Sequence, residues 1–181
     1  DEERVTSVAD EHNVASYTDA KEMIKSEELD AVSVATPPPT HRDVLDDIVD
    51  TGIDVLVEKP FMTTADDAQA VLDQTESSQI LTEVNNQLFK PVVRRAAKAV
   101  DRGAVGTVRQ VYTHSSLPDL EHFLQSHPDW ITSLPGSVFG ENLPHWIYLT
   151  RRFAGDIGDV TIQTFESTTK TEIGSEEIVA Q

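Results

Sequence analysis

Two short apolar runs, AVSVAT (residues 31–36) and IDVLVE (residues 53–58), stand one helix-length apart, and this spacing constrains the chain more than any other feature. The first run stops at Pro37-Pro38-Pro39, since proline has no N–H to give a sheet ladder. HRDVLDDIVDTG then predicts a helix, with Val44, Leu45, Ile48 and Val49 at helical spacing and Gly52 closing it. IDVLVE is short and rich in branched residues, which predicts a strand of a buried parallel sheet. A strand–helix–strand unit of this size requires a right-handed crossover, so the loops after Thr36 and after Glu58 open on the same sheet edge. In open α/β sheets ligands bind at that carboxyl edge. Lys59 sits there, between Glu58 and Pro60.

A lysine one residue past a buried strand admits two readings. Its ammonium faces a polar cleft or a partner, because an isolated charge among apolar groups is costly. Alternatively it is a solvated loop residue whose neighbour Pro60 merely ends the strand.

The rest of the chain continues the α/β pattern. DEERVTSVADEHN reads as a helix with Val5, Val8 and Ala9 on one face, VASY as a short extended piece, and Thr18 as the cap of the helix DAKEMIKS. TADDAQAVLDQTESS predicts a helix with Ala65, Ala68, Val71 and Leu72 inward, and QILTEV predicts a strand. A domain boundary is placed at Asn85-Asn86, giving residues 1–84 and 85–181. PVVRRAAKAVDRG begins with proline and ends with glycine, the expected asymmetry of a helix. VGTVRQVYTHSS and DVTIQTFESTTK alternate as half-buried strands. No G-x-G-x-x-G occurs; Gly103/Gly106 and Gly155/Gly158 do not open a helix after a strand.

Charge narrows the function. With 32 acidic against 14 basic residues the net charge is −18, which repels nucleic acid. The acids are scattered along helices (Asp43, Asp46, Asp47, Asp50, then Asp66, Asp67, Asp73) rather than gathered in a tail, so they read as a solvated folded surface. This composition suits a halophile's cytoplasmic protein, in which high salt screens self-repulsion, or else an ordinary acidic protein. The chain has no cysteine, so disulfides and thiolate-held metals are excluded. No run approaches a membrane span.

ATPPPTH followed by VLVEKP resembles the signature of the glucose–fructose oxidoreductase / inositol dehydrogenase (Gfo/Idh/MocA) family, over most of the chain and most specifically in the EKP segment. LPGSVFGENLPHWIYLTRRFAG resembles that family's second signature, a glycine-rich turn followed by an acid, three residues and a histidine on a helix; here these are Glu141 and His145. The resemblance implies an incomplete Rossmann-like dinucleotide-binding domain with a parallel sheet. The first part of an α/β domain with a mainly antiparallel open sheet follows, serving substrate binding and homo-oligomer formation. It implies an NAD- or NADP-dependent dehydrogenase or reductase acting on the carbinol of a sugar, sugar derivative or cyclitol, with no metal. The family's dinucleotide turn lies on a first strand and DEER follows the second, so the chain is expected to be an inactive fragment lacking about thirty residues at its start.

By the same resemblance the catalytic residues are Lys59, His145 and Glu141, and the cofactor-binding residues are Thr36, Pro37, His41, Glu58, Lys59, Asn85 and Trp130. Residues four apart on a helix share a face, so Glu141 and His145 are able to point into one cleft. Pro144 is compatible if it falls in a first helical turn. Histidine is suited to taking a hydroxyl proton near neutral pH. A nearby carboxylate can fix its tautomer, while Lys59 holds the substrate oxygen. The bland reading of His145 is a helix-start residue that caps or packs; that of His41 is a helix N-terminal residue, and that of Trp130 is core packing. His114, His122 and His127 have no metal-ligand spacing. The chain departs from the family at Glu141, usually Asp, at Tyr148, often a second acid, and at Gly136-Ser137, usually paired glycines. Those departures keep a non-catalytic regulatory or sensor member in view, with the family's redox-assisted glycosidases as a third class.

Overall fold

The computed structural model describes residues 1–116, 120–126, 129–166 and 176–180, so the expectation for His127 lies outside the described residues. The chain divides into two compact units, Asp1–Val84 and Asn85–Gln181.

The first unit runs α1 (Glu2–His12), α2 (Ala20–Ser26), β1 (Ala31–Val34), α3 (His41–Asp46), β2 (Asp54–Val57), α4 (Ala65–Gln74) and β3 (Leu81–Glu83). Its three strands pair in the order β1-β2-β3, all parallel, with Val32 beside Val55 and Val34 beside Val57. One face of this sheet makes the core. Val32, Val34, Val55 and Val57 pack against Leu45, Ile48, Val49 and Val71 from the helical layer. At roughly 1.5–3 kcal/mol for each buried aliphatic side chain, this cluster is what holds the unit together.

Several local expectations change. The predicted two-sided burial of the second strand does not hold: alternate residues face out, and Leu56 is 42% exposed. The helix after the proline loop divides into α3 and a 3₁₀ turn at Val49–Thr51, closed by Gly52 at φ 75°. There the Thr51 hydroxyl and the Thr51 amide both donate to the Ile48 carbonyl, so i→i−3 bonds replace the α ladder. Asp19, not Thr18, caps α2, its carboxylate accepting from the Glu22 amide; both residues can cap, and the one adjacent to the first turn reaches its amides. On α4 only Val71 is fully buried; Ala65 and Leu72 face outward.

The second unit contains α5 (Pro91–Asp101), α6 (Leu120–Ser126), α7 (Trp130–Ser133), α8 (Ser137–Ala154), β4 (Ile162–Glu166) and β5 (Glu176–Ala180). β4 and β5 pair antiparallel, with Ile162 opposite Ala180. The alternating segment VGTVRQVYTHSS forms no strand: residues 107–116 carry no regular structure, and Tyr112 is 82% exposed. Alternation in sequence makes a strand only when a neighbouring edge completes its ladder, and among the described residues no strand lies beside this segment. No helix among the described residues is long and apolar enough to cross a membrane.

Candidate active site

Because the three strands are parallel, the loops after β1, β2 and β3 all leave the same edge of the sheet, and Lys59 stands in the middle one. That loop is held by main-chain and side-chain bonds from both neighbours. The Glu58 amide donates to the Val34 carbonyl at 2.8 Å and the Val84 amide to the Val57 carbonyl at 2.8 Å, extending the ladder to the point where the lysine begins. The Glu83 carboxylate, at the end of β3, accepts from the Phe61 amide at 2.7 Å. His41 is fully buried, with Nε2 2.8 Å from the Thr36 carbonyl and Nδ1 3.1 Å from the carbonyls of Pro60 and Phe61. Both ring nitrogens therefore work inside the protein, tying the end of β1 to the loop that carries Lys59. The Lys59–Pro60 peptide is cis.

Lys59 is half-buried. Burial pulls its ammonium below the ordinary lysine range, against the opposing pull of the Glu58 and Glu83 carboxylates. A lysine held this way releases a proton more readily than a surface lysine, which suits proton transfer.

The other constellation is built where α8 begins. Leu134-Pro135-Gly136-Ser137 makes a tight turn in which Gly136 and Ser137 both adopt positive φ, 75° and 50°. The turn is closed by the Ser137 amide on the Leu134 carbonyl at 2.8 Å. Gly140 is required one turn on, because a Cβ there would collide with the Pro135 carbonyl oxygen, and the Pro135 carbonyl carbon lies 3.1 Å from the same point. Ile131, Leu134 and Val138 are buried beneath this turn, and Phe139 meets Trp146 edge-on at 5.1 Å. Pro144 lies past the first turn of α8, contrary to expectation, so it withholds the amide that the Gly140 carbonyl would otherwise receive.

Glu141 and His145 follow, one turn apart on α8 and both partly buried. His145 Nδ1 is 2.6 Å from the Tyr148 hydroxyl, and the two rings meet edge-to-face at 5.5 Å. The Tyr148 hydroxyl in turn accepts from the Gln87 amide at 3.1 Å and donates to Asn86 Oδ1 at 3.5 Å. Tyr148 is thus a direct partner of the histidine, a role the sequence reading did not give it. Glu83 was likewise missed. The Glu83–Phe61 and Tyr148–Gln87 bonds join residues far apart in the chain, whereas His145 and Tyr148 are three apart on α8, a spacing that places them on one helical face and was the signal available in the sequence.

The other expected cofactor contacts are scattered over these elements. Thr36 and Pro37 offer carbonyls, the former taken by His41 and the latter by the Thr40 amide and hydroxyl. Asn85 has a buried Oδ1 that meets no donor among the described residues, an acceptor suited to an amide N–H of a ligand. Trp130 opens α7, partly buried. Among the described residues no three His, Asp or Glu side chains form a metal-binding group.

Residues 1–86 match the family model described as "Oxidoreductase family, NAD-binding Rossmann fold", and residues 93–180 match the GFO/IDH/MocA C-terminal domain. The chain belongs to the Gfo/Idh/MocA oxidoreductase family. Among curated relatives of this Gfo/Idh/MocA chain, D-xylose 1-dehydrogenase (NADP(+)) 2 of Haloferax volcanii is 34% identical over 133 residues, 71% of this chain and 41% of that protein. D-apiose dehydrogenase of Paraburkholderia graminis is 33% identical over 92 residues, 50% of this chain and 24% of that one. Among solved structures, myo-inositol 2-dehydrogenase from Lactobacillus plantarum superposes with a TM-score of 0.74 at 23% identity, covering 93% of this chain and 50% of that one. An inositol dehydrogenase homolog from Azotobacter vinelandii, solved with NAD+, gives 0.75 at 18% identity, covering 99% and 54%. The chain spans about half the length, or less, of these relatives. At these identities the structural likenesses speak for the fold.

Proposed function

We propose that the protein containing this chain is an NAD- or NADP-dependent dehydrogenase of a sugar, sugar derivative or cyclitol, with Lys59, His145 and Glu141 as its catalytic residues. The observation that carries the reading is Lys59: half-buried, lowered in pKa, and fixed at the carboxyl edge of a parallel sheet by a loop gripped from both sides. The family match and the sugar and cyclitol dehydrogenases among the relatives support the substrate class.

When bound, the nicotinamide supplies the hydride acceptor. Thr36, Pro37, Glu58, Lys59 and Asn85 are the residues that would hold it, with the buried Asn85 oxygen receiving an amide N–H; Trp130 would shelter it. His41 contributes through the loop it fixes. Lys59 orients the carbinol oxygen. His145 takes the hydroxyl proton, and the Glu141 carboxylate favours the imidazolium that results. The same reading gives the second unit a mainly antiparallel open sheet, supported by the β4–β5 pairing, and makes that sheet the homo-oligomer interface of a cytoplasmic, salt-adapted enzyme.

The test is nicotinamide absorbance in the whole protein with a panel of pentoses, hexoses and inositols, repeated with Lys59→Ala. A turned-over substrate is expected, and Lys59→Ala should lower kcat by about 10²-fold or more with little loss of cofactor affinity. Equal losses in both would make Lys59 a cofactor clamp. Absence of turnover with every sugar, alongside intact dinucleotide binding, would favour a sensor.

A further inference from the structure

The peptide group that joins Pro60 to Phe61 is bonded at both ends by side chains. Its oxygen lies 3.1 Å from His41 Nδ1, and its N–H donates to the Glu83 carboxylate at 2.7 Å. The histidine comes from the start of α3, and the glutamate from the end of β3, where it stands beside Val57 in the sheet register. The remaining contacts of the His41 ring settle its proton count. Nδ1 is also 3.1 Å from the Phe61 carbonyl, and Nε2 is 2.8 Å from the Thr36 carbonyl. Among the described residues both nitrogens thus meet only main-chain oxygens, which accept and never donate. A neutral imidazole has one N–H, so either tautomer sets a bare nitrogen against a carbonyl oxygen. The ring is fully buried, and that mismatch would go uncompensated. The imidazolium, a donor at both nitrogens, satisfies all three contacts.

We infer that His41, protonated at both ring nitrogens, and the Glu83 carboxylate form an ion pair bridged by the Pro60–Phe61 peptide, and that this pair positions Lys59. The charges suit the bridge. A peptide carries partial negative charge on its oxygen and partial positive charge on its N–H. The cation sits at the first and the anion at the second, so each polarises the group between them and strengthens the other's bond. A buried imidazolium with nothing to answer it would be costly. Here three carbonyl dipoles answer it, with a carboxylate one peptide away. Lys59 is separated from the bridged peptide by Pro60 alone, and proline has a fixed φ. A peptide held at both ends therefore leaves the lysine main chain little freedom to turn. The positioning role rests on the reading of Lys59 as a catalytic residue; the ion pair itself does not.

The experiment uses the whole protein with isotopically nitrogen-labelled histidine, at about pH 7.5, where an ordinary histidine is mostly neutral. The His41 ring, assigned by NMR through its own main-chain resonances, is expected to carry a proton on both nitrogens. Glu83→Gln keeps an oxygen for the Phe61 amide and removes the charge. It should leave one His41 nitrogen bare and lower kcat about tenfold, with KM for the sugar within about twofold of the parent. A parent protein with one bare His41 nitrogen overturns the inference. So does a Glu83→Gln protein whose His41 keeps both protons, whatever its turnover, since Glu83 also acts on Lys59 through space. A bare His41 nitrogen in Glu83→Gln with undiminished kcat overturns the positioning of Lys59. The reading of Lys59 fails separately, if Lys59→Ala turns over as fast as the parent; the His41 signals still judge the ion pair in that case.

Discussion

Replacing Gly140 by alanine sets two effects of opposite sign against each other. In an exposed helix interior the change is favourable by about 1 kcal/mol, because glycine loses more backbone entropy and alanine is the best helix former. Gly140 lies in the first turn of α8, where the added methyl would run into the carbonyl oxygen of Pro135 and lie 3.1 Å from its carbon. The obstacle is main chain, so no rotamer change relieves it. The Pro135 peptide is itself fixed by the positive-φ turn at Gly136 and Ser137 and by the buried Leu134. Overpacking of a fixed neighbour costs on the order of 1–3 kcal/mol, with larger values where backbone must move. The clash outweighs the propensity gain, so Gly140→Ala is expected to destabilise by roughly 1–2 kcal/mol net. Denaturant unfolding of the whole protein, followed by the fluorescence of Trp130 and Trp146, measures this, with Gly158→Ala as the control because nothing stands within 4 Å of its Cβ. A Gly140→Ala protein as stable as the parent, or more stable, would refute the claim that Pro135 dictates this position.

Other outcomes follow from features already described. Leu45→Ala, at a fully buried site between α3 and the sheet, should cost about 2–5 kcal/mol of unfolding free energy, read as a lower denaturant midpoint with unchanged slope. For Lys59 the sign runs from its lowered pKa. The folded state is penalised for holding that proton, fully so at low and neutral pH, and the penalty fades as pH rises toward the ordinary lysine value of 10.5. Lys59→Met should therefore melt higher than the parent at neutral pH, the gap closing as the pH is raised, while turnover is lost. Molar KCl should raise the melting temperature relative to dilute buffer. Screening of a net charge of −18 outweighs the weakening of exposed pairs such as Lys21–Asp47 and Arg42–Asp46, each worth about 1 kcal/mol or less.

The parts of this fold legible in sequence are those written in contiguous residues. AVSV and DVLV carry their own strand signal, and the proline block and Gly52 punctuate the segment between them. Lys59 could be placed on the ligand edge because a crossover leaves a single geometric choice. What depends on a distant partner was not legible. VGTVRQVYTHSS has the alternation of a strand, yet no described strand lies beside it. Thr18 and Asp19 compete for one cap, and only the geometry of the first turn separates them. Ala65 and Leu72 fall on the same helical stripe as Val71, but the sheet beneath α4 reaches only Val71. Glu83 meets Phe61, and Tyr148 meets Gln87, through bonds that close across long stretches of chain, and no local pattern of residues encodes them.

The grip on the lysine loop falls on main-chain atoms. His41 meets the carbonyls of Pro60 and Phe61, and Glu83 meets the amide of Phe61. None of these bonds consults the side chain at position 61. The loop should therefore tolerate a change of spelling there, to another apolar residue that fills the same space, with Lys59 undisturbed. It should not tolerate a change of length. One residue inserted between Glu58 and Phe61 would carry both carbonyls and the amide out of register with two partners anchored on different elements. The address of the lysine is thus set by counting residues from the end of β2, and not by the side chain at position 61.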